Sequence, residues 1–316
     1  MTVVLTVDEP AWRGHVEATI AFLGIDAVVP VVKGNGYGLG RTWLARQAVT
    51  YGAETIAVGT VHELAGTVGL GATVIALTPT LDAGLDDLPD DAILTVGSAA
   101  HVARLSDRRA DGRVAVKLAS SMRRYGLEPD DLACIDSLDV FSFVLHLPLA
   151  GNAAAHAAEV EGWLPRLPVD VPLDVSHVDL ATFAALRDRH PRRHLRLRLG
   201  TALWHGDKSM LALGADVVDV RTVAAGAPAG YRATPAPGDG HLVMIGGGTA
   251  HGITPLDDGR SPFHYARRRL TLLEPPHMHT SMAFVPSGEP LPCPGELVDV
   301  QRPLTTTEPD RIVWTR

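Results

Sequence analysis

Short apolar segments alternate with longer, more polar stretches through most of the first 210 residues of this 316-residue chain. Each segment has the length of a buried parallel strand, and each stretch between them has room for a helix, as in βα units. Eight such units over about 200 residues favour a closed (β/α)8 barrel over an open sheet. The predicted strands are Val28–Val32, Thr55–Thr60, Thr73–Thr78, Ala92–Gly97, Arg113–Leu118, Val140–Leu147, Pro172–Val178 and Leu195–Leu203. Before them, Asp8 predicts a helix start and Gly24 its end.

The last third of the chain has a different pattern, with short strand-like segments separated by Gly- and Pro-rich turns. This pattern predicts a small β domain over residues 215–316 after a barrel over residues 1–210, with Lys208–Gly214 as the linker. Its predicted strands are Val217–Val223, Leu242–Ile245, Arg269–Leu273, Ser281–Val285, Leu297–Val300 and Ile312–Trp314.

Charge and cysteine content exclude several classes of protein. The net charge of −8 argues against a nucleic-acid or anionic-membrane surface as the main partner, and favours a small-molecule substrate. The two cysteines, Cys134 and Cys293, are far apart and form neither a disulfide framework nor a zinc motif. The N-terminus has no signal-peptide pattern and no apolar run is long enough for a membrane span, so we expect a cytoplasmic protein.

Lys33 follows a predicted buried strand and precedes four closely spaced glycines. The carboxyl ends of barrel strands carry catalytic groups, and a desolvated lysine amine there is suited to Schiff-base formation. Glycines allow positive φ angles and close approach by other groups. Taken alone, the stretch is equally compatible with a surface lysine in a glycine-rich turn.

The segment VVKGNGYGLG resembles the segment that carries the pyridoxal phosphate (PLP) lysine in the alanine racemase family, which usually reads VVKANAYGHG. The matching residues after the valines are Lys33, Asn35, Tyr37, Gly38 and Gly40; those that depart are Gly34, Gly36 and Leu39. The resemblance implies a PLP barrel followed by a C-terminal β domain, with Tyr37 among the cofactor-binding residues. It also implies a cytoplasmic isomerase that acts on an amino acid as a homodimer.

Further segments resemble the family in the same order. KLASSMRRYG matches the family's KVDTGMNRLG at Lys117, Met122, Arg124 and Gly126. There the resemblance implies that Arg124 holds the cofactor's phenolic oxygen and the substrate carboxylate, and that Lys117, often carbamylated in the family, supports it. A guanidinium fork suits such oxyanions. The alternative is a solvated basic turn.

The last barrel strands supply the remaining cofactor residues implied by the resemblance. His146 ends an apolar run and would stack on the pyridine ring; on its own it would equally suit a hydrogen-bonded core histidine. Ser176, with the backbone of Gly200 and Thr201, would bind the phosphate, which also agrees with the usual phosphate site of such barrels. Arg198 opens RLGTALW, which resembles the family's RPGIALY, and would donate to the pyridine nitrogen.

The segment for the second base departs from the family. IGGGTAHG takes the place of IGYADG, which aligns Thr249 with the catalytic tyrosine. Because a threonine hydroxyl does not titrate near neutral pH, we expect an atypical second base. His251 is the first choice, since imidazole titrates near neutrality. The other choices are His279, Tyr231 and Tyr265.

His277 and His279 alternate in EPPHMHT, and on a strand they would face one way, as a metal pair can. The alternative is two polar histidines lining a cleft, and no metal is assigned. Three functions therefore compete. They are a PLP-dependent amino-acid racemase or epimerase, a PLP-dependent D-amino-acid lyase or aldolase, and a catalytically impaired PLP-binding homologue.

Overall fold

The computed structural model describes residues 2–81, 88–89, 92–106 and 113–316, which cluster into two compact units. The described chain begins with strand β1 (Val3–Asp8) and helix α1 (Glu9–Leu23). Asp8 Oδ1 accepts a hydrogen bond from the Ala11 N–H at 3.0 Å, and the chain turns at Gly24, whose φ is +82°. Both predicted ends of this helix are therefore confirmed.

The unit of residues 15–36 and 40–204 contains the predicted barrel. Its eight parallel strands pair in the order β2-β9-β8-β7-β6-β5-β4-β3, and a bridge between Val31 and Ala57 closes the ring. The strands are β2 (Val28–Pro30), β3 (Thr55–Val58), β4 (Thr73–Ala76), β5 (Ala92–Val96), β6 (Val114–Lys117), β7 (Val140–His146), β8 (Leu173–Ser176) and β9 (Leu195–Leu199). All eight strands predicted from the sequence are present.

Helices connect the barrel strands, and branched side chains fill the barrel interior. The helices between barrel strands are α2 (Arg41–Thr50), α3 (Ala99–Ser106), α4 (Ala153–Trp163) and α5 (Leu180–Arg189), and α6 (Thr201–Trp204) follows the last barrel strand. One buried cluster draws on six strands and the segment after β2, as barrel closure requires; it comprises Val29, Val31, Ala57, Ile75, Ile93, Ala115 and Val144. The strand predicted over Leu195–Leu203 ends at Leu199, because Gly200 begins the turn into α6.

The unit of residues 1–14, 37–39 and 205–316 is built on a mostly antiparallel sheet. Seven strands pair in the order β15-β14-β18-β10-β13-β17-β16, and β1 pairs with both β10 and β19. The strands are β10 (Leu211–Val223), β13 (Gly240–Ile245), β14 (Phe263–Tyr265), β15 (Arg268–Arg269), β16 (Thr271–Leu272), β17 (Ser281–Pro286), β18 (Leu297–Val300) and β19 (Arg311–Thr315). A separate ribbon joins β11 (Pro228–Ala229) to β12 (Thr234–Pro235). The predicted C-terminal β fold is confirmed.

Two details of this unit differ from the sequence prediction. The linker predicted at Lys208–Gly214 is wrong from Leu211 onward, because these residues pair with β1, as in the register Val7 to Leu211. Strand β1 itself was not predicted from the sequence. The domain boundaries 1–210 and 215–316 stay predictions. Among the described residues, no helix is both long and apolar enough to cross a membrane.

Candidate active site

The loop after β2 carries Lys33 at the carboxyl end of the barrel. The Glu63 carboxylate fixes this loop to its neighbour, because one oxygen accepts from the Gly34 N–H at 3.0 Å and from the Gly59 N–H at 2.8 Å. Gly36 has a φ of +66°, and a Cβ atom there would lie 2.2 Å from the Arg41 backbone nitrogen. The loop conformation therefore requires glycine at residue 36.

Lys33 lies within electrostatic range of two arginines and one glutamate. Its side chain is solvent-accessible, yet desolvation of the amine lowers its pKa, and Arg198 and Arg124 lower it further against the opposing effect of Glu63. A larger neutral fraction at a given pH makes this amine a better nucleophile.

Lys117 ends β6 and is 7% exposed. Burial, followed by the charges of Arg198, Arg124 and Lys33, lowers the pKa of Lys117 to about 6. Its Nζ lies 5.9 Å from the ring centroid of Tyr125, and the Arg124 guanidinium lies 5.1 Å from the same centroid. Tyr125 was not predicted from the sequence, because its position in the motif is not one that matches the family. The two predicted cations, Lys117 and Arg124, do meet here.

Arg198, Ser176 and His146 form one hydrogen-bonded chain across the ends of three adjacent strands. The buried Arg198 donates from Nη2 to Ser176 Oγ at 3.0 Å and to the Leu145 carbonyl at 3.1 Å. Ser176 Oγ lies 2.6 Å from His146 Nδ1. The hydroxyl has two lone pairs and one hydrogen, so the tautomer of His146 decides which of the two groups donates in this contact. Burial and then Arg198 lower the pKa of His146 to about 3, so this imidazole is neutral at pH 7.

Arg198 also has an unused donor. Burial lowers its pKa to about 10, so it remains charged at neutral pH. Its Nε is buried and has no hydrogen-bond partner among the described residues. Leaving such a donor unpaired costs about 1–3 kcal/mol, which an added acceptor would recover.

His177 directly follows Ser176 and was not singled out in the sequence. Its Nδ1 lies 2.7 Å from the Leu147 carbonyl, and its ring centroid is 4.5 Å from that of His146. Its φ is +65°, in the left-handed region that non-glycine residues seldom occupy. The available signal was a histidine near the end of the strand predicted over Pro172–Val178.

The other predicted cofactor residues lie in two places. Gly200 and Thr201 follow β9, so they share the carboxyl end of the barrel with Ser176. Tyr37 belongs to the other unit, where it is buried against His205 with ring centroids 5.7 Å apart. His205 Nε2 donates to the Tyr37 carbonyl at 2.7 Å.

In the second unit, both nitrogens of His251 have partners. Nδ1 accepts from the Gly248 N–H at 3.2 Å, which leaves the ring hydrogen on Nε2, 3.3 Å from an Asp310 carboxylate oxygen. The neighbouring Thr249 donates its N–H to the His277 carbonyl at 2.8 Å. His251 is thus held in place by Gly248 of its own loop and by Asp310.

His277 and His279 do not alternate on a strand, so that prediction is wrong. The His277 N–H bonds to the Thr280 carbonyl in a turn, which sends the two side chains to different neighbours. His277 lies 2.6 Å from the buried Glu274 carboxylate and packs against Tyr231, whereas His279 lies 6.1 Å from the His251 ring centroid. Tyr265 donates to Glu296.

Known proteins resemble this chain in sequence and in structure. Residues 7–205 match the family model for the N-terminal domain of alanine racemase, and no curated protein matches the chain. The alanine racemase from Bartonella henselae, a structure with covalently bound pyridoxal phosphate, is 16% identical, with 100% of each chain covered and a TM-score of 0.76. The E. faecalis alanine racemase is 18% identical, covering 99% of this chain and 98% of that one, with a TM-score of 0.74.

The biosynthetic alanine racemase from Pseudomonas aeruginosa is 20% identical, covering 100% of this chain and 99% of that one, with a TM-score of 0.71. At these identities the structural likeness shows the two-part fold, a parallel barrel and an antiparallel C-terminal sheet.

Proposed function

The chain belongs to the alanine racemase family, and from that premise we propose that it is a PLP-dependent amino-acid racemase or epimerase whose cofactor is held by Lys33. The observation that carries the proposal is the group of cations at the carboxyl end of the barrel. Lys33, Arg124, Arg198 and Lys117 lie within electrostatic range of one another.

This group of residues fits an anionic cofactor. PLP carries a phosphate and a phenolic oxygen, and the unpartnered Nε of Arg198 offers a donor for one of its acceptor atoms. Lys33 would hold the aldehyde carbon, Arg124 the phenolic oxygen, and His146 the face of the ring. Tyr37, Ser176, Gly200 and Thr201 would complete the cofactor site.

When bound, PLP supplies an electron-withdrawing ring that stabilises negative charge at Cα of an amino acid. Lys33 Nζ, with its lowered pKa, takes the Cα proton or returns it on one face. Arg198, which stays protonated at neutral pH, would donate to the pyridine nitrogen and so keep that nitrogen unprotonated, which would limit how far negative charge moves into the ring. This restraint suits racemisation.

Lys117 is suited to react with carbon dioxide. With a pKa of about 6, its amine is largely neutral at pH 7 and can form an N–C bond to CO2 with loss of a proton. The resulting carbamate would place a negative charge beside Arg124 and fix the guanidinium. A 13C signal from labelled bicarbonate in wild type that is lost in Lys117→Met would identify it.

A racemase needs a second proton carrier on the other face of Cα, and His251 is proposed for this position. Its Nε2 would have to exchange the Asp310 contact for the substrate. The test is His251→Ala, which should abolish racemisation while Cα exchange of one enantiomer persists. Racemisation at the wild-type rate in His251→Ala would exclude this residue.

The main test uses the cofactor itself. The protein is incubated with PLP, its visible absorbance recorded, and the adduct reduced with borohydride and mapped by peptide mass. A tag on Lys33 is expected, and no bound PLP, or a tag elsewhere, contradicts the proposal. Amino acids are then incubated with the holoenzyme in D2O, where a racemase incorporates deuterium at Cα of both enantiomers.

The contacts of His251 favour one second candidate, a PLP-binding homologue with a single proton carrier. Both of its ring nitrogens have partners within its own unit. Such a protein would bind PLP on Lys33 and exchange the Cα proton of one enantiomer at most. Deuterium in both enantiomers would exclude this candidate.

A further inference from the structure

Two adjacent residues at the end of β8 differ in how much hydrogen-bonding capacity they retain. Ser176 is 5% exposed, accepts a hydrogen bond from Arg198 and shares a second one with His146 Nδ1. A phosphate is an acceptor, so Ser176 can donate to it only in the tautomer in which His146 Nδ1 carries the ring hydrogen. The serine hydroxyl therefore already has two partners within the protein.

His177 has the opposite character. It is exposed, and its Nδ1 faces a carbonyl, which can only accept, so the ring hydrogen of the neutral tautomer lies on Nδ1. Nε2 then carries a lone pair and has no hydrogen-bond partner among the described residues. The positive φ and the Leu147 contact fix the direction of the ring. Backbone strain of this kind often marks functional positions.

β8 is the seventh strand of the barrel in chain order, and phosphate groups commonly bind after the seventh and eighth strands of such barrels. We propose that His177 contacts the phosphate of the cofactor through Nε2, in addition to the residues already proposed, and that the ring takes up a proton when the phosphate binds. This inference rests on the proposed function, because PLP is the phosphate ester concerned.

The proton uptake follows from the tautomer. With Nδ1–H held by Leu147, Nε2 can donate to a phosphate oxygen only if the ring is protonated. Without the phosphate, burial lowers the pKa of His177, and the nearby Arg198, Lys33 and His156 lower it further. The hydrogen bond to the Leu147 carbonyl opposes this shift. The neutral His146 packs against the same ring. A phosphate anion beside Nε2 favours the charged ring and so raises that pKa. Phosphate affinity should therefore fall as pH rises through the pKa of the complex.

The test compares PLP with pyridoxal, which lacks the phosphate. Two variants keep the backbone conformation accessible: His177→Asn, because asparagine tolerates positive φ, and His177→Gly, because glycine adopts it freely. Both should weaken PLP binding about tenfold to a hundredfold, the effect of losing one charge-assisted hydrogen bond, and leave pyridoxal binding unchanged. The control is His190→Asn, a histidine at the end of α5 that contacts Glu161.

Proton uptake is measured by calorimetry of PLP binding in buffers of different ionisation enthalpy. Wild type should take up more protons than His177→Asn, and the titration of the phosphate itself cancels in this comparison. An unchanged ratio of PLP to pyridoxal affinity in both variants, or equal proton uptake, overturns the inference.

Inorganic phosphate provides a probe that does not depend on Lys33. It should shift the imidazole NMR signals of His177 in wild type, and absence of that shift also overturns the inference. If PLP fails to attach to Lys33 while phosphate shifts His177, the proposed function fails and the phosphate contact stands.

Discussion

The three lysines of the chain, Lys33, Lys117 and Lys208, provide an internal comparison of amine reactivity. Lys33 combines solvent access with a lowered pKa, Lys117 is buried, and Lys208 is exposed in the other unit. Trace labelling of the cofactor-free protein with an amine reagent near pH 7 should therefore modify Lys33 before Lys208, because only the neutral amine reacts. Peptide mass mapping measures the order, and faster labelling of Lys208 would contradict the described environment of Lys33.

Lys117 should make stability depend on pH. Its pKa is about 6 in the folded protein against 10.5 for an ordinary lysine, so between these values the unfolded chain binds more protons. The unfolding free energy of the cofactor-free protein should therefore increase as pH rises across this window and decrease as pH falls toward 6. Lys117→Met should be more stable than wild type by on the order of a few kcal/mol at pH 7, and by less at pH 9.5.

Urea unfolding in CO2-depleted buffer at both pH values measures this difference. The same gain at pH 7 and pH 9.5 would show that Lys117 is charged in the folded protein.

At the scale of single residues, the sequence predicted the residues that match a motif and missed those that are defined by their contacts. Lys33, Lys117, Arg124, His146, Ser176 and Arg198 were identifiable because each has a fixed place in a recognisable segment, and their assignments as site residues stay proposals. His177 and Tyr125 lie beside these segments, and their interest comes from a ring tautomer and from neighbouring cations. Neither property is encoded in spacing along the chain.

At the scale of elements, the loop after β2 separates two roles of glycine. Gly34 and Gly36 have nearly equal positive φ angles of +64° and +66°, and the family's usual segment has alanine at both positions. A Cβ atom at Gly34 would meet nothing within 4 Å, whereas one at Gly36 would meet backbone atoms of Gly40 and Arg41. Gly34→Ala should cost about 1 kcal/mol through φ alone, and Gly36→Ala at least about 2–3 kcal/mol.

Urea unfolding of the two variants provides the comparison, with Gly34→Ala as the matched control. Equal losses of unfolding free energy would mean that the positive φ angle, and not the contact with Arg41, determines the cost of alanine at residue 36.

Element prediction succeeded where the pattern is local and failed where pairing is distant. The barrel strands are continuous apolar runs between polar stretches, which can be recognised within a short window. β1 and the first residues of β10 are an apolar pair more than 200 residues apart, in the register Leu5 to Leu213. Because the two segments are so distant in sequence, only the paired sheet identifies them as strands.

At the scale of the whole molecule, we expect a homodimer, as the family resemblance implies. Several large apolar side chains of the second unit are exposed in the single chain, including Tyr231 at 87% and Met278 at 66%. Exposed apolar surface of this kind favours association. Light scattering at micromolar concentration should give twice the chain mass of 33.5 kDa, and a monomer would contradict the expectation.

The two ends of the chain meet in one sheet, which predicts that the C-terminal β region depends on residues before the barrel. β1 pairs with β10 on one side and with β19 on the other, and Val3, Leu5 and Val7 are fully buried. Trp12 packs edge-on against Trp314 with ring centroids 5.4 Å apart. Without β1, the facing edges of β10 and β19 would lose their backbone partners and a row of apolar contacts.

A fragment of residues 205–316 should therefore lack a cooperative unfolding transition by itself. A peptide of residues 2–14 added in trans should restore this transition, because it supplies the missing strand, and should shift the tryptophan fluorescence as Trp12 becomes buried. The matched control is the same peptide carrying Leu5→Asp, which places a charge at a fully buried position and should restore little structure. Cooperative unfolding of the fragment without any peptide would show that β1 is dispensable, and that the sheet is sufficiently stabilised by β10, β13, β17 and β18.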